Sequence, residues 1–551
     1  MSAPAVGAVP GATDRPETQA RWAGTGALIR FGLRRDRIRL LVWIAAVVFL
    51  TVVSLLSFVA NYPTETDRME ITAGLDSPAM TALTGPDHYL THYTYASMLG
   101  HQLTYLIAIA LAIMTVLLVV RHTRMEEETG RAELIRAGVV GRHAHLTAAL
   151  ALAVIASVAT TGVLTAALVA VGVASVGWGE ALLFSAAVAS VGLVFAGVAA
   201  VTAQVTEHSR AASGMGLALV GLAYALRAIG DAGDTPALSW LSPIGWAQRT
   251  YVGVDDRWWP VLLAVGLFLL LALLAGWLST RRDVAAGLRR PRAGRAAATS
   301  ALVHPLGFAL RLHRGLLIGF GIGAALGGAA YGSVFGELEE MLANLELADE
   351  LLARFESTAV DAFATVILLI LAVVAAAYVV LAALRPRTEE VAGRAEPVLV
   401  TGLSRTRWLA SHLVVALAGG AVVMVAAGAA FGAAAAASTG DPELFGRITG
   451  ASLVYLPALW LVAGLAVTLY GWWPRAAGLV WLVPAYGFVV GYLGQLLSMP
   501  DWLANLSPFG HVPQLPAYEL RWTPLLILTL IAAVLIGLGL VGFRRRDVIG
   551  N

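Results

Sequence analysis

The chain has 551 residues, of which 58% are hydrophobic and 13% charged, with 37 basic against 35 acidic side chains. Soluble globular proteins carry about 25% charged residues, so this composition excludes an ordinary soluble chain and indicates lipid as the solvent. Cysteine is absent, which excludes disulfides and cysteine metal sites, and every basic residue is an arginine because the sequence contains no lysine.

Residues 1–20 form a polar tail rich in Ala, Pro, Gly and Thr, which we expect to be disordered, and they lack the long apolar run of a cleavable signal peptide. Twelve apolar runs follow, each near or above the ~20 residues with which a helix crosses a bilayer. We therefore predict an all-α polytopic membrane protein. Its twelve transmembrane helices are expected at 40–60, 101–120, 146–173, 181–204, 212–230, 259–280, 316–335, 362–384, 409–437, 448–470, 477–497 and 524–543.

The distribution of arginine predicts the orientation of the chain. With the N-terminus inside, 30 arginines fall in cytoplasmic segments and 7 in outer segments or outer span ends. Acidic residues show the opposite distribution, with 13 inside and 22 outside. Because cytoplasmic loops of membrane proteins carry the arginine excess, we expect both termini in the cytoplasm. We predict a multi-pass protein of a bacterial plasma (inner) membrane.

Five short sequence matches recur in the same order in the two halves of the chain, which indicates a tandem duplication. We predict two six-helix repeats, at 21–284 and 305–551, joined by a cytoplasmic linker at 285–304 and related by a pseudo-two-fold axis along the membrane normal. The matches are EEETGRAE at Glu126 with EEVAGRAE at Glu389, LSPIGW at Leu241 with LSPFGH at Leu506, RRDV at Arg281 and at Arg545, FGLRRDR at Phe31 with FALRLHR at Phe308, and RAA at Arg210 and at Arg475.

The polar segment between spans two and three of each half holds the strongest motif. Glu127 and Arg131 are spaced i,i+4, acid before base, and so are Glu390 and Arg394, a spacing that supports a helix. A glycine within each motif permits a turn or a close approach. A solvated charged loop is the ordinary alternative for one copy. Two agreeing copies favour a surface that docks a two-fold partner.

These motifs, with the twelve-span duplication and the LSPxG element, resemble the ABC exporter permeases of the polyketide-antibiotic (tetronasin-type) exporter family, over about 26–548. In such type-2 exporters the segment between spans two and three is a coupling helix seated in a groove of the ATPase subunit. The openings at Phe31 and Phe308 resemble the elbow helices of these permeases. The resemblance implicates, for ATPase coupling, Glu126, Glu127, Gly130, Arg131, Glu133, Glu389, Glu390, Gly393, Arg394 and Glu396.

The missing lysine excludes a Walker A loop, in which a lysine reaches the β- and γ-phosphates of ATP. If the chain is an ABC permease, it is therefore no enzyme and binds no cofactor itself. ATP and Mg would be bound by two copies of a separate ABC ATPase subunit. The other expected partners are the lipid bilayer and a hydrophobic small-molecule substrate, and no nucleic acid.

Several polar residues are candidates for a transport pathway or an outer gate. Ser-Pro before a glycine disfavours a continuous helix, so the LSPxG elements predict broken or re-entrant helices, with an ordinary outer turn as the alternative. Arg227 lies about one turn from the outer end of span five, where we expect its side chain to snorkel to the interface. The candidates are His101, Gln102, Tyr105, Arg227, Ser242, Pro243, Tyr492, Ser507 and Pro508.

The outer segment at 337–356 has helical periodicity with an acidic face, and we expect it to pack as a cap on the outer membrane surface. The first half has a longer segment broken by Pro and Gly there, at 64–98. His143 and His145 lie in an arginine-rich loop without a third ligand nearby, so no metal site is predicted.

The favoured function is outward transport of a hydrophobic or amphipathic compound (an antibiotic, drug or lipid), driven by ATP. The predicted span cores lack acidic residues, which suits an apolar substrate better than an ion. The alternative is a secondary, ion-coupled multidrug transporter of the major facilitator type, which is also built from six plus six spans. That class usually shows a Gly-x-x-x-Asp-Arg-type loop where this chain has EEETGRAE. A polytopic membrane enzyme would need clustered acids or histidines, and none is evident.

Overall fold

The computed structural model describes residues 21–136, 138, 140–233, 235–283, 286–288, 296–336, 359–493, 501–504 and 506–547. In these residues every regular element is a helix. The chain divides into two compact units, Met1–Ala293 and Gly294–Asn551. The boundary between the units falls inside the predicted linker at 285–304.

Six long helices form the frame of the first unit. Helix α4 is the most deeply buried of them and packs against α2, α3, α5 and α6. Helices α1 and α6 bury few of their apolar side chains, as expected for helices that face lipid. The six are α1 (Thr25–Asn61), α2 (Thr104–His122), α3 (Ala144–Ala170), α4 (Trp178–Val205), α5 (Ser209–Ala232) and α6 (Trp259–Ser279).

The second unit has a corresponding set of helices around α9. This helix packs against α7, α8 and α10, and α10 packs against α12. The set is α7 (Pro305–Ser333), α8 (Ala359–Ala383), α9 (Arg405–Thr439), α10 (Leu456–Trp472), α11 (Leu482–Leu493) and α12 (Trp522–Arg545).

Short helices fill the connections. Those of the first unit are Glu65–Glu70, Thr72–Leu75, Pro78–Leu83, Asp87–Thr91 (3-10), Tyr95–Met98, Leu99–Leu103 (π), Arg124–Glu128, Arg131–Arg136, Ala237–Trp240 and Pro243–Gln248. Those of the second unit are Ser300–Val303, Arg385–Val391, Ala395–Val400, Glu443–Leu453, Ala477–Trp481 (3-10), Asp501–Ala504 and Pro508–His511 (3-10).

The described residues contain eleven helices that are long and apolar enough to cross a membrane, each on one of the predicted spans. The twelfth predicted span, at 477–497, has no such helix in the described residues. The structure has a 3-10 turn and then α11 there. Residues 494–497 lie outside the described part. The chain is therefore a multi-pass helical membrane protein, while the twelve-helix duplication stays a prediction.

The elbow helices implied by the family resemblance are not separate elements. Helix α1 runs unbroken for 37 residues from Thr25, and α7 runs for 29 residues from Pro305, so each includes its opening motif. The motif FGLRRDR has neither a proline nor a C-capping residue that would end a helix before the apolar run begins.

Close glycine contacts join helices within the second unit. A Cβ added at Gly328 of α7 would lie 2.3 Å from the carbonyl oxygen of Ala427 in α9, and one added at Gly332 would lie 2.4 Å from that of Phe431. Residues spaced i,i+4 lie on one helix face, so the two glycines let the backbones of α7 and α9 meet directly. Small residues at this spacing are typical of helix interfaces in membranes.

Candidate functional site

The EExxGRAE motif folds into two short helices that meet at a glycine, in both units. The first unit has Arg124–Glu128 and then Arg131–Arg136, and the second has Arg385–Val391 and then Ala395–Val400. Gly130 has φ +73° and Gly393 has φ +68°, a left-handed conformation that other residues adopt only with strain. No atom lies within 4 Å of a Cβ built on either glycine. The backbone turn, and not crowding, requires glycine here.

The i,i+4 residues of each motif, Glu127 with Arg131 and Glu390 with Arg394, do not lie within one helix. The turn at the left-handed glycine ends the first helix between the two residues, so they do not share a helical face. Glu127 instead accepts two hydrogen bonds from the guanidinium of Arg282, at 2.7 and 2.9 Å. It accepts a third bond from Arg124 at 2.8 Å.

The second unit repeats this ion pair. Glu390 accepts two hydrogen bonds from Arg546, at 2.6 and 2.8 Å, and one from the Tyr470 hydroxyl at 2.5 Å. Arg394 donates to Glu389, the residue before Glu390, at 2.6 Å. Arg282 and Arg546 occupy the same position of the repeated RRDV word. In each unit an ion pair therefore joins the EExxGRAE motif to the RRDV word, although the two are far apart in the sequence.

A second contact ties the same ends together in each unit. Arg142, just before α3, donates to the carbonyl oxygen of Thr280 after α6 at 2.8 Å. Arg405, the first residue of α9, donates to the carbonyl oxygen of Arg546 after α12 at 2.7 Å. The segment that follows span two is thus anchored, in both units, to the end of the last helix.

The first glutamate of the motif is bound differently in the two units. Glu126 accepts a hydrogen bond from Arg35 of α1. Next to Arg35, the buried Asp36 lies 2.5 Å from the Nε2 atom of His122. In the second unit, Glu389 is bound by Arg394 and by Arg385, at 2.6 and 2.8 Å, within its own segment. The first unit therefore links its motif to the first helix as well as the last.

The remaining charged residues of the motif face outward. Arg131 and Glu133 are exposed, and so are Arg394 and Glu396. Apolar side chains stand among them with high exposed fractions: Leu134 at 78% in the first unit, and Val391 and Val400 at 62% and 85% in the second. The ten residues assigned to ATPase coupling thus divide into four inward glutamates, two turn glycines and four exposed charges. We call the exposed set of each unit its docking face.

The outer candidates of the first unit gather around the chain that precedes α2. Arg227, expected to snorkel to the interface, is fully buried instead. Its guanidinium donates to the carbonyl oxygens of Thr81 and Leu83, each at 3.3 Å. It also lies over the rings of Tyr105 and Tyr224, 5.2 and 4.9 Å from their centroids. The snorkelling prediction failed because the outer segment supplies carbonyl acceptors that periodicity along α5 cannot reveal.

A buried carboxylate completes this group. Asp231, one turn after Arg227 in α5, lies 4.0 Å from its Nε atom and accepts a hydrogen bond from Arg249 at 2.9 Å. Arg249 also donates to the Ser239 hydroxyl and stands over the Trp240 ring. Two arginines share one carboxylate, so the cluster carries excess positive charge. The i,i+4 spacing of Arg227 and Asp231 was the available sequence signal.

His101 and Gln102 bind the same outer segment. The Nδ1 and Nε2 atoms of His101 lie 3.0 Å from the hydroxyls of Tyr93 and Thr84, respectively. Gln102 donates to the Tyr93 hydroxyl at 2.8 Å. Burial raises the pKa of Tyr93, so this hydroxyl stays protonated and able to donate. Gln248 donates to the carbonyl oxygen of Thr84 at 2.5 Å.

The Ser-Pro elements begin short helices. The Ser242 hydroxyl accepts hydrogen bonds from the amides of Ile244 and Gly245, at 3.2 and 3.3 Å, and donates to the carbonyl of Ala223 at 2.7 Å. Pro243 is the first helical residue, where its missing amide hydrogen is no loss. Ser507 and Pro508 make the same opening in the second unit, with a 3.3 Å bond from Phe509.

Two other predictions fall where little is described. The side chain of Tyr492 and the predicted acidic cap at 337–356 lie outside the described residues. Within the described part, no three potential metal ligands lie close together. His143 packs near the Trp22 ring, where burial and the neighbouring Arg142 and Arg21 lower its pKa.

Comparison with known proteins identifies the family. Residues 302–544 match the family model of the C-terminal domain of the multidrug efflux system permease Rv1217c. The multidrug efflux system permease protein Rv1217c of Mycobacterium tuberculosis (strain ATCC 25618 / H37Rv) is 39% identical over 539 residues, which is 97% of each chain. The chain belongs to the Rv1217c family of multidrug efflux permeases.

Membership in this efflux permease family covers both units, because the alignment to the relative spans nearly the whole chain. The matched family model covers the second unit from just after the start of Ser300–Val303 almost to the end of α12. It includes Glu390 and stops just before its partner Arg546. The Mycobacterium tuberculosis relative is described as the permease of a multidrug efflux system.

Proposed function

We propose that this efflux permease is the membrane-spanning subunit of an ATP-driven exporter of the ABC type, close to the tetronasin-type exporters. It would move a hydrophobic or amphipathic compound outward across the bacterial plasma membrane. Two copies of a separate ATPase subunit would bind ATP and Mg. One observation carries the proposal: in each unit, the segment that presents the docking face also supplies the glutamate of a buried arginine–glutamate ion pair.

The docking faces suit a protein partner. Each combines one exposed arginine and one exposed glutamate with exposed apolar side chains, whose contact with water is unfavourable. Exposed apolar residues rimmed by charges are typical of interaction surfaces. The faces differ in their apolar residues, Leu134 against Val391 and Val400, so two identical ATPase copies would meet similar but unequal surfaces.

The ion pairs provide a mechanical connection from the docking face to the membrane. Glu127 belongs to the segment that carries the first docking face, and Arg282 follows the last helix of the same unit. Glu390 and Arg546 make the same connection in the second unit. Displacement of a docked segment by an ATPase would therefore pull on α6 or α12. Bidentate arginine–carboxylate pairs hold both distance and orientation, which suits such a transmission.

The outer cluster of the first unit is proposed as the part that opens for release. Arg227, His101 and Gln248, from three different elements, all bind the stretch from Thr81 to Gly85. Release of the substrate to the outside would require these bonds to break. The geometry supports a closed outer gate in this unit.

The test first asks whether a neighbouring gene encodes a stand-alone ABC ATPase, and then measures co-purification of that ATPase with the permease. Arg131→Glu combined with Arg394→Glu reverses one exposed charge on each docking face and should abolish co-purification and ATP-dependent efflux. Arg210→Glu combined with Arg475→Glu is the matched control, because both arginines are exposed, belong to a repeated motif and lie on the same predicted side. Unchanged binding of the ATPase by the docking-face variant would refute the docking assignment.

A separate measurement tests the energy source. The permease reconstituted with the ATPase should transport a fluorescent drug only with ATP. Transport driven by a proton gradient in vesicles that hold the permease alone would instead support the ion-coupled alternative.

A further inference from the structure

The arginines at the start of α1 separate into two sets with different surroundings. Arg35 and Arg39 lie close to carboxylates, Glu126 and Asp36 respectively. The others, Arg30, Arg34 and Arg37, are exposed, and no carboxylate of the described residues lies within 4.0 Å of them. Their i, i+4, i+7 spacing places the three on one face of the helix.

The second unit repeats part of this face. Aligning FGLRRDR with FALRLHR places Arg34 on Arg311 and Arg37 on Arg314. Both arginines of α7 are exposed, and again no described carboxylate lies within 4.0 Å. The inward positions changed between the copies: Asp36 corresponds to His313, which is hydrogen-bonded to His412 at 2.9 Å. Of the four charged residues of FGLRRDR, only the outward Arg34 and Arg37 are kept in FALRLHR, although no described carboxylate pairs with them.

Apolar side chains continue the same surface toward the membrane. Ile38 and Leu41 follow the first set with exposed fractions of 69% and 66%, and Ile318 follows the second with 58%. Side chains of this kind are exposed because lipid tails surround them. The arginines therefore stand where the hydrocarbon region ends, which is the depth of the lipid phosphates.

We propose that the repeated arginine pairs, Arg34 with Arg37 and Arg311 with Arg314, bind the phosphate headgroups of anionic phospholipids. A guanidinium offers parallel N–H donors that match two phosphate oxygens and retains its charge at any physiological pH. Two exposed cations without a carboxylate nearby attract a ligand with net negative charge, which favours phosphatidylglycerol over phosphatidylcholine. Arg30 extends the first site by one helical turn.

This site and the docking faces are formed by different segments of the chain. The docking-face residues belong to the segment after α2 or α8, whereas the arginine pairs belong to the first long helix of each unit. Lipid binding by these pairs therefore requires no ATPase. Its measurement on the permease alone is independent of the proposed function.

The experiment titrates the purified full-length permease in neutral detergent with dioleoylphosphatidylglycerol or dioleoylphosphatidylcholine and counts bound lipids by native mass spectrometry. The wild type should prefer phosphatidylglycerol. Arg34→Gln with Arg37→Gln, and Arg311→Gln with Arg314→Gln, should each weaken that binding by about fivefold per arginine, since one arginine near an anionic surface contributes about 1 kcal/mol. Added salt should reduce the difference.

Arg210→Gln with Arg475→Gln is the control, because it removes two exposed arginines from the same predicted side. Melting temperatures in the same detergent check that every variant is folded. Equal affinity of the wild type for both lipids, or an equal loss in the control pair, would overturn the proposal. So would unchanged lipid binding together with lost ATPase co-purification, which would assign the face to a protein partner.

Discussion

Glu127 and Arg282 are 155 residues apart in the chain, yet two parallel hydrogen bonds of 2.7 and 2.9 Å join their side chains. Glu390 and Arg546, 156 residues apart, make the same pair in the second unit. Neither member of either pair is more than 14% exposed. The two units thus share a long-range contact and not only short words of sequence.

These pairs predict strong coupling in a double-mutant cycle. Removing one partner of a buried ion pair costs about 3–5 kcal/mol when the other charge is left unpaired, and loss of Arg282 would leave Glu127 with the single bond from Arg124. Arg282→Met should therefore lower the thermal stability of the detergent-solubilised permease sharply. Glu127→Gln alone should do the same, whereas the double variant should lose much less than the sum. Thermal unfolding of the four proteins measures the coupling, and additive losses would contradict a direct pair.

The parts of the fold that depend on local sequence were predictable. Apolar runs of about 20 residues placed the long helices because burial in lipid and helix length are properties of a continuous segment. The predicted span at 212–230, which contains Arg227, became α5. The sequence did not predict that α1 and α7 continue unbroken from their opening motifs. Amphipathic composition does not show whether a helix ends before the membrane or continues into it.

The buried cluster of Arg227, Asp231 and Arg249 predicts an asymmetric response to substitution. Asp231→Asn leaves two arginines without their shared carboxylate, and we expect a loss of about 3–5 kcal/mol in stability. Arg227→Met leaves the 2.9 Å bond between Arg249 and Asp231 intact. Its expected cost is the weaker one of unsatisfied carbonyls at Thr81 and Leu83, about 1–3 kcal/mol. Melting temperatures that place Arg227→Met at or below Asp231→Asn would contradict the shared-charge arrangement.

The side-chain contacts of the candidate site were only partly predictable from the sequence. The repeated motif drew attention to Glu127 and Glu390, and the RRDV word to Arg282 and Arg546, but the i,i+4 spacing predicted one helix and did not show that these residues pair. The φ of +73° at Gly130 breaks the local periodicity on which that prediction relied. Arg227 was likewise misjudged, because its acceptors come from a segment about 145 residues earlier. Contacts between distant segments cannot be read from the spacing within one segment.

The serine caps of the two LSPxG elements should each stabilise their unit, Ser242 more than Ser507 because it accepts two amide bonds and Ser507 one. Ser242 and Ser507 each accept hydrogen bonds from amides at the start of a short helix. Serine to alanine at such a position costs about 1 kcal/mol. Ser333→Ala is the control, because this exposed hydroxyl bonds only to the carbonyl three residues before it. Equal melting temperatures of Ser242→Ala, Ser507→Ala and the control would show that capping is unimportant here.

The contact of α7 with α9 offers the sharpest packing test, since two glycines of one helix have opposite surroundings. A methyl group at Gly328 would lie 2.3 Å from the Ala427 carbonyl oxygen, while one at Gly321 would meet no atom within 4 Å. The obstacle at Gly328 is backbone, which cannot rotate away, so Gly328→Ala must push the two helices apart. We expect a loss of about 1–3 kcal/mol, the usual cost of overpacking.

Gly321→Ala should be neutral or raise the melting temperature, because alanine favours the helix by up to about 1 kcal/mol where space allows. Both variants make the same chemical change in the same helix, so helix propensity is matched and only the contact differs. Thermal unfolding of the permease in one detergent compares them. A melting temperature for Gly328→Ala equal to that for Gly321→Ala would show that α7 and α9 do not meet through their glycines.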